Sequence, residues 1–304
     1  MKQKDLDFFK IPEGIRIPYL GGKIYDYISN IKRKQIQKLE ITNFELNTES
    51  RKEKIIVSLT TFPARIDIAS YAIKSLFNQT MKPDKIILWL AKEQFCDSQF
   101  PDILQALCDR GMEIRFCEDL KAHKKYYYAL KNQNRNELVI TYDDDIIYPE
   151  DSIEQLYQKH LLFPDCIICN RAQLSSEEKG RLTPYSTWKV NSSVGVDNPS
   201  MKLFPSTGGG TLYPYGSVNE EAFNMKIMKE IAFSADDLWM RFMSALNGTP
   251  IVKTKKNHRT FTTIEKLQTE SLQVLNCLGG ENDRTIERLS KRYPKALKTI
   301  LGEK

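Results

Sequence analysis

With 304 residues, of which 41% are hydrophobic, 28% charged and 10% aromatic, the chain is long enough for a real core and too apolar for intrinsic disorder. Its 45 Lys+Arg against 39 Asp+Glu give a net charge of +6, too mild and too dispersed to indicate nucleic acid. The longest wholly apolar run, Ile86 to Ala91, is far short of the roughly 20 residues of a membrane span. The opening MKQKDLDFFK carries charges of both signs and no secretory apolar core, so a cytoplasmic protein is expected. Cys96, Cys108, Cys117, Cys166, Cys169 and Cys277 show no framework spacing, and free thiols are expected. Cys166 and Cys169 sit in an extended apolar run, where residues three apart point to opposite faces; two small buried hydrophobes is the better reading than a metal or redox pair.

Residues 1–53 read as a helical, basic N-terminal extension. Ile24, Ile28 and Ile31 recur at helical steps, Ile36 and Leu39 resume the stripe slightly rotated, and Lys32, Arg33, Lys34 and Lys38 spread around the helix. Docking on the main domain is favoured over peripheral contact with an anionic membrane, because there is neither a clean polar face nor an aromatic edge. From residue 54 the pattern becomes strand, helix, strand. Ile55–Leu59 is the first strand, and Asp67 is placed to cap a helix carrying Ala69, Ala72, Ile73, Leu76 and Phe77. Ile86–Leu90 is the next strand, followed by a helix from about Pro101 that Gly111 closes. Ile114–Phe116 and Leu138–Thr141 are further strands, with a helical segment at 121–132 between them. This alternation predicts an α/β fold with a mostly parallel sheet and helices on both faces, and ligands beyond the carboxyl ends of its strands. Neither GxGxxG nor GxxxxGK[ST] occurs. The expected organisation is an extension at 1–53, a catalytic domain at 54–262 and a helical tail at 263–304.

The most informative stretch is ELVITYDDDIIYP, residues 137–149. Asp143, Asp144 and Asp145 follow a buried strand and precede two more apolar residues, whereas a solvated acidic turn is flanked by polar residues. Carboxylates placed beside a core need a positive partner. Asp143 and Asp145, two residues apart, share a face and suit a hard cation such as Mg²⁺ or Mn²⁺, which takes one or two carboxylates plus substrate phosphates.

With SLTTFPARI at the first strand, EIRFCEDLKAHKKYYYAL, TYDDDIIYP, STGGGTLYP and SADDLW in that order, the chain resembles bacterial GT-A glycosyltransferases, the nucleotide-sugar enzymes of capsule and surface-glycan synthesis, over about residues 54–253. The resemblance implies a GT-A-like, Rossmann-type sheet and an Asp-x-Asp metal signature at Asp143 and Asp145, with Asp144 between them near the donor. It implies nucleotide contacts at Thr60, Thr61, Arg65 and Asp119. Lys124 and Lys125 are candidates for the donor diphosphate, with a solvated helix face as the competing reading. Gly208, Gly209 and Gly210 are expected to line the acceptor side, where absent side chains let a sugar approach the backbone. Trp239 is a candidate for stacking on the acceptor, although core packing is the commoner role of Trp. Some enzymes of the family use a late histidine as a third metal ligand, which makes His258 a candidate. His123 and His160 carry no functional expectation.

SADDLWMRFM begins another helix. Ser234 with Asp237 three residues on resembles a capping box, in which case both acids serve only the helix start. The alternative is that Asp237, or else Asp236, is the general base that deprotonates an acceptor hydroxyl. The resulting expectation is a metal-dependent glycosyltransferase that moves a sugar from a nucleotide-diphosphate donor, most readily a UDP-sugar, to a glycan or lipid-linked glycan, with inversion. A nucleotidyl- or phosphoryl-transferring α/β enzyme and a noncatalytic carbohydrate-binding scaffold are the alternatives.

Overall fold

The computed structural model describes residues 18–95, 100–190, 192–255, 262–264 and 280–303. Seven strands form the central sheet: β1 (Lys54–Thr60), β2 (Lys85–Ala91), β3 (Met112–Cys117), β4 (Glu137–Tyr142), β5 (Ile167–Cys169), β6 (Gly209–Tyr213) and β7 (Ile251–Lys253). Their order across the sheet is β7-β5-β6-β4-β1-β2-β3. β6 runs antiparallel to both of its neighbours, β4 and β5, while every other pairing is parallel. The carboxyl ends of six strands therefore share one edge with the amino end of β6, where Gly209 pairs with Tyr142.

Apart from a single turn at Lys92–Phe95, the described α-helices are α1 (Pro18–Gln37), α2 (Ile66–Phe77), α3 (Asp102–Cys108), α4 (Lys124–Lys131), α5 (Ser152–Leu162), α6 (Met225–Ile231), α7 (Asp236–Leu246), α8 (Glu281–Arg292) and α9 (Pro294–Leu301). Alternation along the strands sorts them into two cores. Ile55, Val57 and Leu59 of β1 pack with Ile73 and Phe77 of α2 and with Leu156 of α5. Ile56, with Val139 of β4, packs instead toward Tyr126 of α4, Phe242 of α7 and Ile300 of α9. A sheet covered on both faces needs continuous apolar strands, and β1, β2 and β4 are that. Cys166 and Cys169 fall into opposite cores as free, buried thiols, and Cys108 and Cys117 are free as well. Cys96 and Cys277 lie outside the described residues.

The helical extension is packed against α2. Ile36 and Phe44 are buried, the Phe44 ring stacks on Phe77 with centroids 5.3 Å apart, and the Lys74 ammonium donates to the Gln37 carbonyl at 3.2 Å. Asp67 does not cap α2: the N-cap is Arg65, and Asp67 is the second helical residue, contributing only its charge to the first turn. Gly111 has φ +99° and its N–H closes on the Cys108 carbonyl, but the C-cap of α3 is Asp109, two residues earlier. Among the described residues no helix is long and apolar enough to cross a membrane.

Candidate active site

Two acidic clusters meet at the carboxyl edge of the sheet. The first follows β4. Asp144 is buried and accepts from the Thr61 hydroxyl at 2.5 Å and from the Arg65 guanidinium at 3.2 Å, and Arg65 also reaches Asp145 at 2.9 Å. Asp143 instead turns to the Lys125 ammonium, 2.6 Å away. The aspartates lie just past the end of β4, and strand alternation does not govern their ion pairs: Asp144 and Asp145 share Arg65, whereas Asp143, expected to share a face with Asp145, pairs with Lys125. Burial and the charges of Asp143 and Asp144 push the Asp145 carboxyl up to about 6, even with Arg65 beside it. Burial raises Asp144 too, with Arg65 opposing.

The second cluster opens α7. Its N-cap is Ala235, with no side-chain capping bond, so the capping-box expectation at Ser234 and Asp237 is not met. Both carboxylates turn instead to Thr207. Its N–H donates to Asp237 at 2.7 Å, and its hydroxyl lies 2.5 Å from Asp236 and 2.6 Å from Asp237. Asp236 also reaches the Lys125 ammonium at 2.9 Å. Burial opposes ionisation of Asp236, but Lys125 foremost, then His123 and Thr207, outweigh it and hold the carboxyl down at about 2. Burial and the Asp236 charge push Asp237 up to about 7. Two adjacent carboxyls are thus driven apart, one fixed as an anion and one poised near neutrality, the pattern expected of a divided acid–base pair.

Lys125 and Lys124 are not a solvated face. The side chain of each is only 3% exposed, and Lys124 is paired with Asp119. Asp119 also accepts from Gln94 at 3.0 Å and from the Lys121 N–H at 2.9 Å. Burial alone would raise its carboxyl, yet Lys124 and the Lys121 N–H hold it below the usual range. Thr60 turns its hydroxyl to the Trp89 carbonyl at 2.8 Å.

Gly208 lies against the first cluster. A Cβ there would come within 1.7 Å of an Asp143 carboxylate oxygen, and its carbonyl accepts from the Asp143 N–H at 3.2 Å and the Tyr148 hydroxyl at 2.6 Å. Gly210, at φ +87°, would strike Asn170 and Tyr142 if it had a Cβ. Gly209 begins β6 between them. Trp239 is elsewhere: it is fully buried, its indole donates to the Ala222 carbonyl at 3.1 Å, and its ring meets Tyr293 edge-on. With no ring face available, it is a core residue and not an acceptor contact. Trp188 is likewise buried, against Phe204. His258 lies outside the described residues. His123 is fully buried between the Tyr126 hydroxyl and the Ala232 carbonyl, and burial lowers it to about 4.

Two positions that join the parts of this candidate site escape the sequence pattern. Thr207 joins both acids of α7, and its only signal is its place directly before the glycine run. Tyr148 ties the backbone of Asp143 to Gly208, and its signal is that it closes the apolar pair after the aspartates.

Among the described residues no group of three or more His, Cys, Asp or Glu is arranged to hold a metal. Asp143 and Asp145 nevertheless fit the smaller protein share that Mg²⁺ or Mn²⁺ takes when substrate phosphates complete its shell. Lys125 engages one oxygen of Asp143 and Arg65 one of Asp145, and each carboxylate has a second oxygen outside these pairs.

No protein-family model and no curated protein matches the chain. Among solved structures, a mannosyltransferase from Pyrobaculum calidifontis in complex with GDP-Man and Mn²⁺ is 11% identical, with 91% of this chain and 81% of that one covered, at a TM-score of 0.45. S. aureus TarS 1–349 is 14% identical over 67% of this chain and 59% of that one, with a TM-score of 0.42. The Francisella tularensis 2-C-methyl-D-erythritol 4-phosphate cytidylyltransferase is 14% identical over 74% and 98%, also at 0.42. Likenesses this distant carry no activity across to this chain.

Proposed function

We propose that the chain is a metal-dependent glycosyltransferase of GT-A type, with a catalytic domain at 54–262, that transfers a sugar from a nucleotide-diphosphate donor to a glycan or lipid-linked glycan hydroxyl with inversion. The observation that carries this reading is the meeting of the β4 carboxylates with the Asp236–Asp237 pair across one buried ammonium, at the sheet edge where α/β proteins bind ligands. The divided chemistry such a transfer requires is present in two places. Asp143 and Asp145 would hold Mn²⁺ or Mg²⁺, which neutralises charge on a leaving diphosphate. Asp237 takes the proton of the acceptor hydroxyl, since the Asp236 carboxylate, tied to Lys125 and Thr207, is too weakly basic to accept it. Thr61 and Arg65 fix Asp144 and so shape the floor below the donor; Asp119 with Lys124 offers a carboxylate to a base N–H or a ribose hydroxyl. Gly208 leaves room for the Asp143 carboxylate, so it belongs with the donor side of the site and not with the acceptor. A cytoplasmic enzyme of surface-glycan synthesis, acting on an acceptor presented at the membrane face, accords with this reading.

The test is a donor screen with Mn²⁺ present, following release of nucleoside diphosphate from UDP-, GDP- and CMP-sugars, the last releasing the monophosphate. Turnover of one donor class that is lost on chelation supports the reading. Release of pyrophosphate from a nucleoside triphosphate, with no sugar donor consumed, would make the chain a nucleotidyltransferase. Binding of glycan without any turnover would make it a scaffold.

A further inference from the structure

Lys125 is the one described residue seen to touch both acidic clusters: its ammonium is 2.6 Å from Asp143 and 2.9 Å from Asp236. It has little freedom to serve anything else. The side chain is 3% exposed at the buried start of α4, and its carbonyl is pinned to β1 by the Ser58 hydroxyl at 2.5 Å. Ser58 is fixed in turn by the Trp89 indole at 2.9 Å. A diphosphate contact, the role expected of Lys125 from sequence, would require a buried ammonium to abandon two carboxylates. Beyond Asp236, the Thr207 hydroxyl carries the connection to Asp237.

We infer that Lys125 is a positioning residue, a counter-ion shared by the two clusters, so that a divalent cation arriving at Asp143 drives the ammonium toward Asp236 and couples donor-side occupancy to the base. This rests on the proposed metal site. The physical step is ordinary charge competition: a cation on Asp143 repels the ammonium 2.6 Å from that carboxylate, and Asp236 is the other anion within its reach. Linkage makes the coupling reciprocal. Neutralising Asp236 leaves Lys125 wholly with Asp143 and weakens cation binding there, whereas removing the ammonium frees Asp143 and tightens it.

The test is a double-mutant cycle on the full chain, read as Mn²⁺ affinity by calorimetry and by the paramagnetic resonance of free Mn²⁺, with no turnover involved. Asp236→Asn is expected to weaken Mn²⁺ binding roughly tenfold, and Lys125→Met to tighten it by a similar factor. In the Lys125→Met background, Asp236→Asn should retain only its direct long-range attraction, a change of about threefold or less. Lys125→Gln replaces Lys125→Met if the latter does not fold. An equal effect of Asp236→Asn with and without the ammonium, or no effect of Asp236→Asn alone, overturns the inference and leaves the metal site standing. Absence of Mn²⁺ binding by the unmodified chain overturns both.

Discussion

Burial and the Asp236 charge push the Asp237 carboxyl up to about 7, so at neutral pH the folded chain holds a carboxylate under strain that the unfolded chain does not feel. The sign follows from proton binding. Unfolded Asp237 ionises near pH 4 and the folded one near 7, so the native state binds the extra proton and stability falls as pH rises through that window. Asp237→Asn keeps an oxygen for Thr207 and removes the charge. Urea unfolding should therefore show the variant matching the parent near pH 4 and exceeding it above pH 7, by on the order of a few kcal/mol. The same variant should turn over on the order of 10²–10⁴ more slowly at unchanged donor affinity, and the unmodified enzyme's rate should climb with pH up to about 7. A variant that is neither more stable nor slower would remove Asp237 from the base role. Gly208→Ala tests the other cluster: its φ tolerates a side chain, but the new Cβ would occupy the Asp143 carboxylate's position, 1.7 Å from an oxygen. Mn²⁺ binding should be lost while the far-ultraviolet circular dichroism is kept. At this scale the aspartates were legible because apolar flanks make a carboxylate conspicuous. Lys125 was legible as a candidate for the site but not in its pairing with both clusters, because its partners lie 18 and 111 positions away.

Elements were legible wherever burial on two faces left long apolar strands. β1, β2 and β4 could be read to within a residue or so, since alternation into both cores makes their inner positions apolar, Ser58 and Thr141 excepted. The antiparallel insertion of β6 between β4 and β5 was hidden because direction leaves no trace in a strand so short. That insertion brings Gly208 onto Asp143. The α7 start misled for a local reason: Ser-x-x-Asp matches a cap pattern, but Thr207 offers the carboxylates better partners than their own helix does. The N-terminal extension is the element whose attachment can be measured most simply. Phe44 is 6% exposed and stacked on Phe77, so Phe44→Ala opens a cavity under α2 and should cost about 3–5 kcal/mol in denaturant unfolding. Nucleotide and Mn²⁺ affinities should not change. A shift in either would bring the extension into the site, by way of α2 and Arg65 at its N-cap.

Taken as one body, the molecule builds its site from both faces of the sheet. Thr61 and Arg65 come from the connection between β1 and α2, Lys125 from α4 on the other face, and Asp236 and Asp237 from α7, which is backed by α8 and α9. A ligand that joins the clusters should therefore stabilise the whole fold, because it binds only where both halves are in place. At a hundred times its Kd, Mn²⁺ with the matching nucleoside diphosphate adds about 2.7 kcal/mol, which for a chain of this size is a rise of roughly 5 °C in Tm. Asp145→Asn should abolish that rise, since an amide is a poor ligand for a hard cation. Asp237→Asn should keep it, starting from a higher Tm at pH 8, because in the proposed assignment Asp237 lies outside the carboxylates that would hold the metal. The pattern across the three proteins carries the decision. A rise lost in both variants would place Asp237 within the donor site, and a rise kept in both would move the metal away from Asp145.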